Sequence, residues 1–138
     1  MSGERCGGIS FRGDEYNKSF CSAHDFIASY GSLLAGVPSR ISIQALADSL
    51  LLTIRYSDFR SLYDRQLCWE RLGRLLIERL YVKKELRERE FLALSAEARY
   101  LKFLERYGHL ETAIPQYHIA SYLGITPVAL SRIRKKLI

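Results

Sequence analysis

No Asp or Glu occurs between Gln116 and Ile138, so nothing in that stretch repels a polyanion. Other absences narrow the function further. The chain has only three cysteines, Cys6, Cys21 and Cys68, widely spaced and outside any CxxC pair. That excludes a zinc finger, and also an iron–sulfur sensor, which needs about four clustered thiolates. An odd count reads as free thiols. His24, His109 and His118 share no metal spacing with each other or with acids, and His118 is expected to face solvent or phosphate. There is no Ser-His-Asp or Cys-His arrangement, no paired carboxylates and no glycine-rich phosphate loop, so an enzyme has nothing to rest on. No apolar run approaches the roughly 20 residues that span a bilayer. The N-terminal MSGERCGGIS lacks the apolar core of a secretory signal. A cytoplasmic protein without a membrane partner or a cofactor is expected.

What is present is basic and local. The formal charge is +6 over 138 residues, enough chain for one ordinary domain or two small ones. The positive charge concentrates at the end, in Arg132, Arg134, Lys135 and Lys136. These close a segment, QYHIASYLGITPVALSRIRKKLI, with the pattern of a helix-turn-helix. Ile119, Leu123, Ile125, Leu130 and Ile133 occupy the positions that pack two helices together. Ala120 is small where they cross, and Gly124 supplies the positive φ of the turn. Thr126 offers an N-cap hydroxyl and Pro127 fits the first helical position. A second helix of this kind sits in the major groove of duplex DNA.

Upstream the character changes twice. Ile9–Arg12 and Tyr16–Phe20 read as strands joined by a turn at Gly13 and Asp14. Residues Ser29 to Ala35 make a short helical turn closed by Gly36. Arg40–Leu46 alternates as a half-buried strand, and Leu50–Ile54 reads as another. Ser57 is expected to cap a short helix over Asp58 to Tyr63. From Gln66 to about Leu94 only Gly73 interrupts one long helix. Along it Leu72, Leu75, Val82 and Leu86 form a seam suited to a partner helix, with Arg79 and Arg89 interrupting. Ser95 caps a further helix to Tyr107, with Ala98, Leu101, Phe103 and Leu104 inward. The expected class is α+β: a β sensor unit over residues 1–64, a dimerisation helix over 65–94 and a helix-turn-helix domain over 95–138.

Three stretches in this order, HDFIASYGSLLAGVPSRISIQALADSLLLTI, LCWERLGRLLIERLYVKKELRERE and LSAEARYLKFLERYGHLETAIPQYHIASYLGITPVALSRIRKKL, resemble the Crp/Fnr family of bacterial transcription regulators, in its Bacteroidetes-like branch. The resemblance runs from about Phe20 to the C-terminus. It implies the second half of a cyclic-nucleotide-binding β-roll, a dimerisation helix, and a DNA-binding domain. The region before Phe20 is too short for the rest of an eight-stranded roll, so a truncated roll is expected. In cAMP-binding members a Gly-Glu pair holds the ribose and a later Arg the phosphate. Here the pair falls on Gly31 and Ser32, and the Arg position on Ser39 with Arg40 next. The ribose-binding carboxylate is absent, so the cassette is degenerate for cAMP or another cyclic nucleotide.

The resemblance also places the DNA contacts. Thr126, Pro127, Val128, Ser131 and Arg132 fall on the base-reading side, with Arg132 matching a base-reading Arg of the family. Arg134, Lys135, Lys136 and Tyr117 are candidates for phosphate. The implied partners are double-stranded DNA, a second copy of the chain and RNA polymerase. A dimer would present two such helices about 34 Å apart and read a pseudo-palindrome. The alternative is a small-molecule-sensing or protein-interaction module whose helix-turn-helix only packs.

Overall fold

Local signals decide most of the secondary structure, and three of them are realised as hydrogen bonds. In the computed structural model, which describes residues 5–11, 14–22 and 24–137, the elements run β1 (Arg5–Phe11), β2 (Asp14–Cys21), α1 (Tyr30–Ala35), β3 (Ile41–Ala45), α2 (Tyr56–Ser61), α3 (Leu67–Ala93), α4 (Ala96–Tyr107), a 3₁₀ turn (Gly108–Leu110), α5 (Gln116–Leu123) and α6 (Pro127–Leu137). Ser95 Oγ accepts from the Ala98 amide at 3.2 Å and starts α4. Thr126 Oγ1 accepts from the Ala129 amide at 3.2 Å and starts α6. Between α5 and α6, Gly124 has φ 67°. The Ile125 amide returns to Ala120 O at 3.0 Å and that of Gly124 to Ser121 O at 3.1 Å. This doubly bonded ending needs a left-handed residue, which glycine adopts without a Cβ clash.

The chain is α+β, and its compact units are two. One holds the residues up to Ser49 together with those from Leu94 onward; the other is Leu50–Ala93. The strands therefore share a core with the C-terminal helices, a grouping different from the expected boundaries at 64 and 94. The sheet is antiparallel in the order β2-β1-β3. Its link to the helices is β2. The pairing of β1 with β2 passes from Gly7↔Ser19 to Gly8↔Asn17, leaving Lys18 as an extra residue. In a regular strand, residues three apart point to opposite faces. The bulge at Lys18 cancels that alternation, and Asn17 and Phe20 are both buried.

Phe20 is completely buried. Its ring lies 5.9 Å from Phe103, 5.6 Å from Tyr107 and 5.2 Å from Tyr122, centroid to centroid. The first two contacts are edge-to-face and the third is tilted; such aromatic pairs add to the area removed from water. Around the rings sit Leu110, Ile114, Ile119, Ala120, Leu123 and Leu130. Arg99 ties α4 to the end of α5, its Nε donating to Leu123 O at 3.2 Å. In α4 the buried residues are Tyr100, Phe103 and Tyr107. The expected inward Leu101 is exposed; the spacing 100, 103, 107 is the stripe that faces Phe20, and Leu101 lies to one side of it.

Three further expectations are corrected. Leu50–Ile54 is not a strand: the segment has no regular structure, and Leu50 and Leu52 are 93% and 99% exposed. An apolar run becomes a strand only where a neighbouring strand takes its backbone groups. Arg40–Leu46 does form β3, but Ile43 stays exposed, because no layer covers that face among the described residues. The short helix starts at Tyr56 with Arg55 at the N-cap position, so Ser57 lies inside its first turn and caps nothing. The turn at Gly13 lies outside the described residues. In the second unit Gly73 is buried in α3 because the Tyr63 ring rests where a Cβ would stand. No described helix is long and apolar enough to cross a membrane.

Removing the ring at the centre of the aromatic cluster tests this account. Phe20→Ala is expected to destabilise the unit by about 3–5 kcal/mol, read by urea unfolding. A change below about 1 kcal/mol would show that β2 is not part of the core.

Candidate nucleic-acid interface

The α-helix turns about 100° per residue, and this alone divides the basic run of α6. Leu130, Ile133 and Arg134 fall on the side facing the core, where Leu130 is fully buried and Ile133 packs against it. Val128, Arg132 and Lys135 fall on the opposite side at four- and three-residue steps. All three are exposed, Val128 by 61%. Thr126 and Pro127 extend the exposed surface at the helix start, and Ser131 is half-buried at its margin. Among the described residues, no acid forms an ion pair with Arg132 or Lys135. The face is thus an open strip that is apolar at its beginning and cationic beyond.

The other two cations are engaged by the chain's own acids. Lys136 Nζ lies 2.8 Å from Glu97 Oε2 at the start of α4. Arg134 Nη2 donates to Glu111 Oε1 at 2.7 Å, and its Nε donates to the Tyr100 hydroxyl at 3.0 Å. The Tyr100 hydroxyl in turn donates to Glu111 Oε1. Burial first, then the bond to the Glu111 carboxylate, hold the Tyr100 phenol above its ordinary value, against the lowering effect of Arg134. The ring of three groups lines a cleft with Leu104, Ile114, Pro115 and Leu137. Sequence reasoning missed Glu97, Glu111 and Tyr100 because their partners lie 23 to 39 residues away; no local pattern encodes such pairings.

Tyr117 is exposed at the first turn of α5, its ring 4.0 Å from that of His118. His118, expected at the surface, is instead buried. Asn17 Nδ2 lies 2.8 Å from its Nδ1 and donates to His118 O at 3.1 Å, while the Asn17 amide donates to Ser121 Oγ at 3.0 Å. A polar strand residue therefore meets a polar face of α5, which the bulge at Lys18 makes possible.

The ligand-cassette positions are spread over the α1–β3 segment. Gly31 and Ser32 lie in α1, and Ser32 Oγ accepts from Ser29 Oγ at 2.9 Å. Ser39, just before β3, turns its Oγ to the start of that strand, donating to Ile41 O at 2.9 Å. Arg40 is exposed beside it. No hydrogen bond joins these serines to Arg40 among the described residues, and no three His, Cys, Asp or Glu side chains there are grouped to hold a metal. The four seam residues expected for a partner helix lie on α3. Leu72 is half-buried, and Leu75, Val82 and Leu86 are 41%, 55% and 45% exposed.

No family model matches the chain, and no curated protein matches it significantly.

The raised phenol gives a pH dependence with a definite sign. The folded state keeps the Tyr100 proton to higher pH than the unfolded state, where it leaves near 10. Its contribution to stability is therefore full below about pH 10 and is lost as pH rises through the folded value. Tyr100→Phe should flatten the alkaline limb of a stability–pH profile measured by urea unfolding. An unchanged alkaline limb would show that burial and the bond to Glu111 do not together raise the phenol.

Proposed function

We propose that this chain is a sequence-specific DNA-binding transcription regulator of the Crp/Fnr type, acting on double-stranded DNA as a homodimer. The observation that carries the reading is the outer face of α6, where Val128, Arg132 and Lys135 are exposed and, among the described residues, no acid pairs with either cation. The face follows a glycine-ended α5 and a threonine-capped start, the geometry of a helix-turn-helix. Arg132 fits bidentate recognition of guanine O6 and N7, and Val128 fits a thymine methyl group. Lys135 fits a phosphate. The sheet and α1 belong, in this reading, to an effector-binding β-roll, with a degenerate cassette at Gly31, Ser32, Ser39 and Arg40. An effector there shifts DNA binding only by its differential affinity for two states of the protein.

The homodimer rests on α3. With Leu72 at heptad position a, Leu75 and Val82 fall at d and Leu86 at a. Arg79 takes the intervening a position. Glu78 at g then faces Lys83 at e of a parallel copy, a complementary pair. Cys68 takes the d position just before Leu72, and its side chain is exposed.

Two experiments test the two halves of the proposal. Selection from a randomised duplex library should enrich an inverted repeat. Arg132→Ala should relax one base position per half-site, at a cost of about 1–3 kcal/mol. Wild-type binding should weaken steeply with salt, and Lys135→Ala should lower that slope by about one, the share of a single phosphate. No enrichment by the wild type would support the alternative, a module whose helix-turn-helix only packs. For the dimer, facing d positions of a parallel pair come within the Cα separation of about 4.4–6.8 Å that a disulfide needs. Mild oxidation should therefore yield a covalent dimer that Cys68→Ser abolishes. A protein that sediments with one chain per duplex even when saturated with the selected DNA would refute the seam.

A further inference from the structure

Arg134 is the one cation of α6 that faces inward. It is four residues after Leu130, which is fully buried, so the two share a side of the helix. Three groups from separate segments meet there: Tyr100 on α4, Glu111 after the 3₁₀ turn, and Arg134 near the end of α6. Each side of this triangle is a hydrogen bond: Arg134 Nη2 to Glu111 at 2.7 Å, Arg134 Nε to the Tyr100 hydroxyl at 3.0 Å, and Tyr100 to Glu111. The guanidinium carbon also lies 5.7 Å from the centre of the Tyr100 ring. The Arg134 and Glu111 side chains are only 20% and 27% exposed, against 71% for Lys136 in its own pair with Glu97. Partial burial preserves the ion pair from the screening that weakens surface pairs.

The geometry of a guanidinium matters here. Its donors lie in one plane, so two bonds and a ring contact define its orientation in a way a lysine ammonium cannot. The orientation of a side chain held this firmly constrains the helix that carries it. A helix free to roll about its axis would carry Val128 and Arg132, on the far side, away from any fixed line of base edges.

We infer that Arg134, with Glu111 and Tyr100, is a positioning residue: it sets the roll of α6 so that Val128 and Arg132 present their side chains in one register, and it does not itself bind phosphate. The inference rests on the DNA-reading proposed above and goes beyond it by removing Arg134 from the contact surface and making Glu111 a determinant of specificity.

The test compares the selected duplex with a scrambled one across a salt series, using wild type, Arg134→Lys, Arg134→Glu, Glu111→Arg and the double reversal. Arg134→Lys keeps the charge and removes the planar fork. It should lower the preference for the selected duplex at least roughly ten-fold, of the order of one base contact, and leave the salt slope unchanged. Each single reversal should lower the preference, and the double reversal should recover part of it. Thermal melts followed by circular dichroism report folding, and Arg134→Lys keeps the test decisive where a reversal unfolds the protein. The inference is overturned if Arg134→Lys equals the wild type, or if Arg134→Glu weakens both duplexes alike with a shallower slope and no recovery in the double variant. A wild type that binds no duplex at all would overturn the DNA-reading, and this inference with it.

Discussion

The buried ring of Phe20 is the contact on which the larger unit depends. It belongs to a strand, yet three of its neighbours, Phe103, Tyr107 and Tyr122, belong to helices. Those rings seat α5 against α4, and α5 determines where α6 begins, because only the two residues 125–126 separate the glycine ending of one from the start of the other. The exposed strip on α6 is thus held at one remove from the aromatic core. A strand can reach such a core only if its side chains arrive on the correct face. The extra residue at Lys18 does this by bringing Asn17 and Phe20 to the same side. Asn17 then meets the polar groups of α5, His118 and Ser121; a buried polar group that loses a partner costs about 1–3 kcal/mol.

The second constraint is electrostatic. Four cations crowded at the end of a short helix repel each other, and an acid-free segment offers no local relief. The fold separates them in angle. Arg134 turns inward to Glu111, Lys136 is met by Glu97, and Arg132 and Lys135 are left facing outward. The repulsion is reduced where the helix packs and kept where a polyanion would be attracted. A charge count along the sequence gives four equivalent candidates for phosphate; the helical period and two distant acids make them unequal.

What the sequence made legible follows the range of the interaction. The caps at Ser95 and Thr126, the left-handed Gly124, the long α3 and the packing positions Ile119, Leu123 and Leu130 are all local or periodic, and the structure has each of them. Most of what was not legible is long-range. The burial of His118 depends on Asn17, 101 residues away; the inward turn of Arg134 depends on Glu111. Leu50–Ile54 departs from its expected strand for a related reason: its composition suits a strand, and composition carries no information about whether a neighbouring strand exists. In α4 the difference is one of weight. Hydropathy favours Leu101 over Tyr100 as a core residue, although a tyrosine buries more surface and its hydroxyl finds Glu111.

The uncovered stripe on α3 has a thermodynamic consequence in the proposed dimer. Its apolar positions are interrupted by Arg79 and Arg89, so a seam formed by two copies would bury less carbon than an uninterrupted leucine seam. Each arginine in it would need an acid of the other copy, and Glu78 and Glu90 flank those two positions. Such a seam is weak by composition, and its population depends on protein concentration. DNA that binds only the paired form shifts the equilibrium toward pairing by mass action. Dimerisation and operator recognition are then two readings of one equilibrium, and a mutation that weakens the seam appears as a loss of apparent DNA affinity while the outer face of α6 is unchanged.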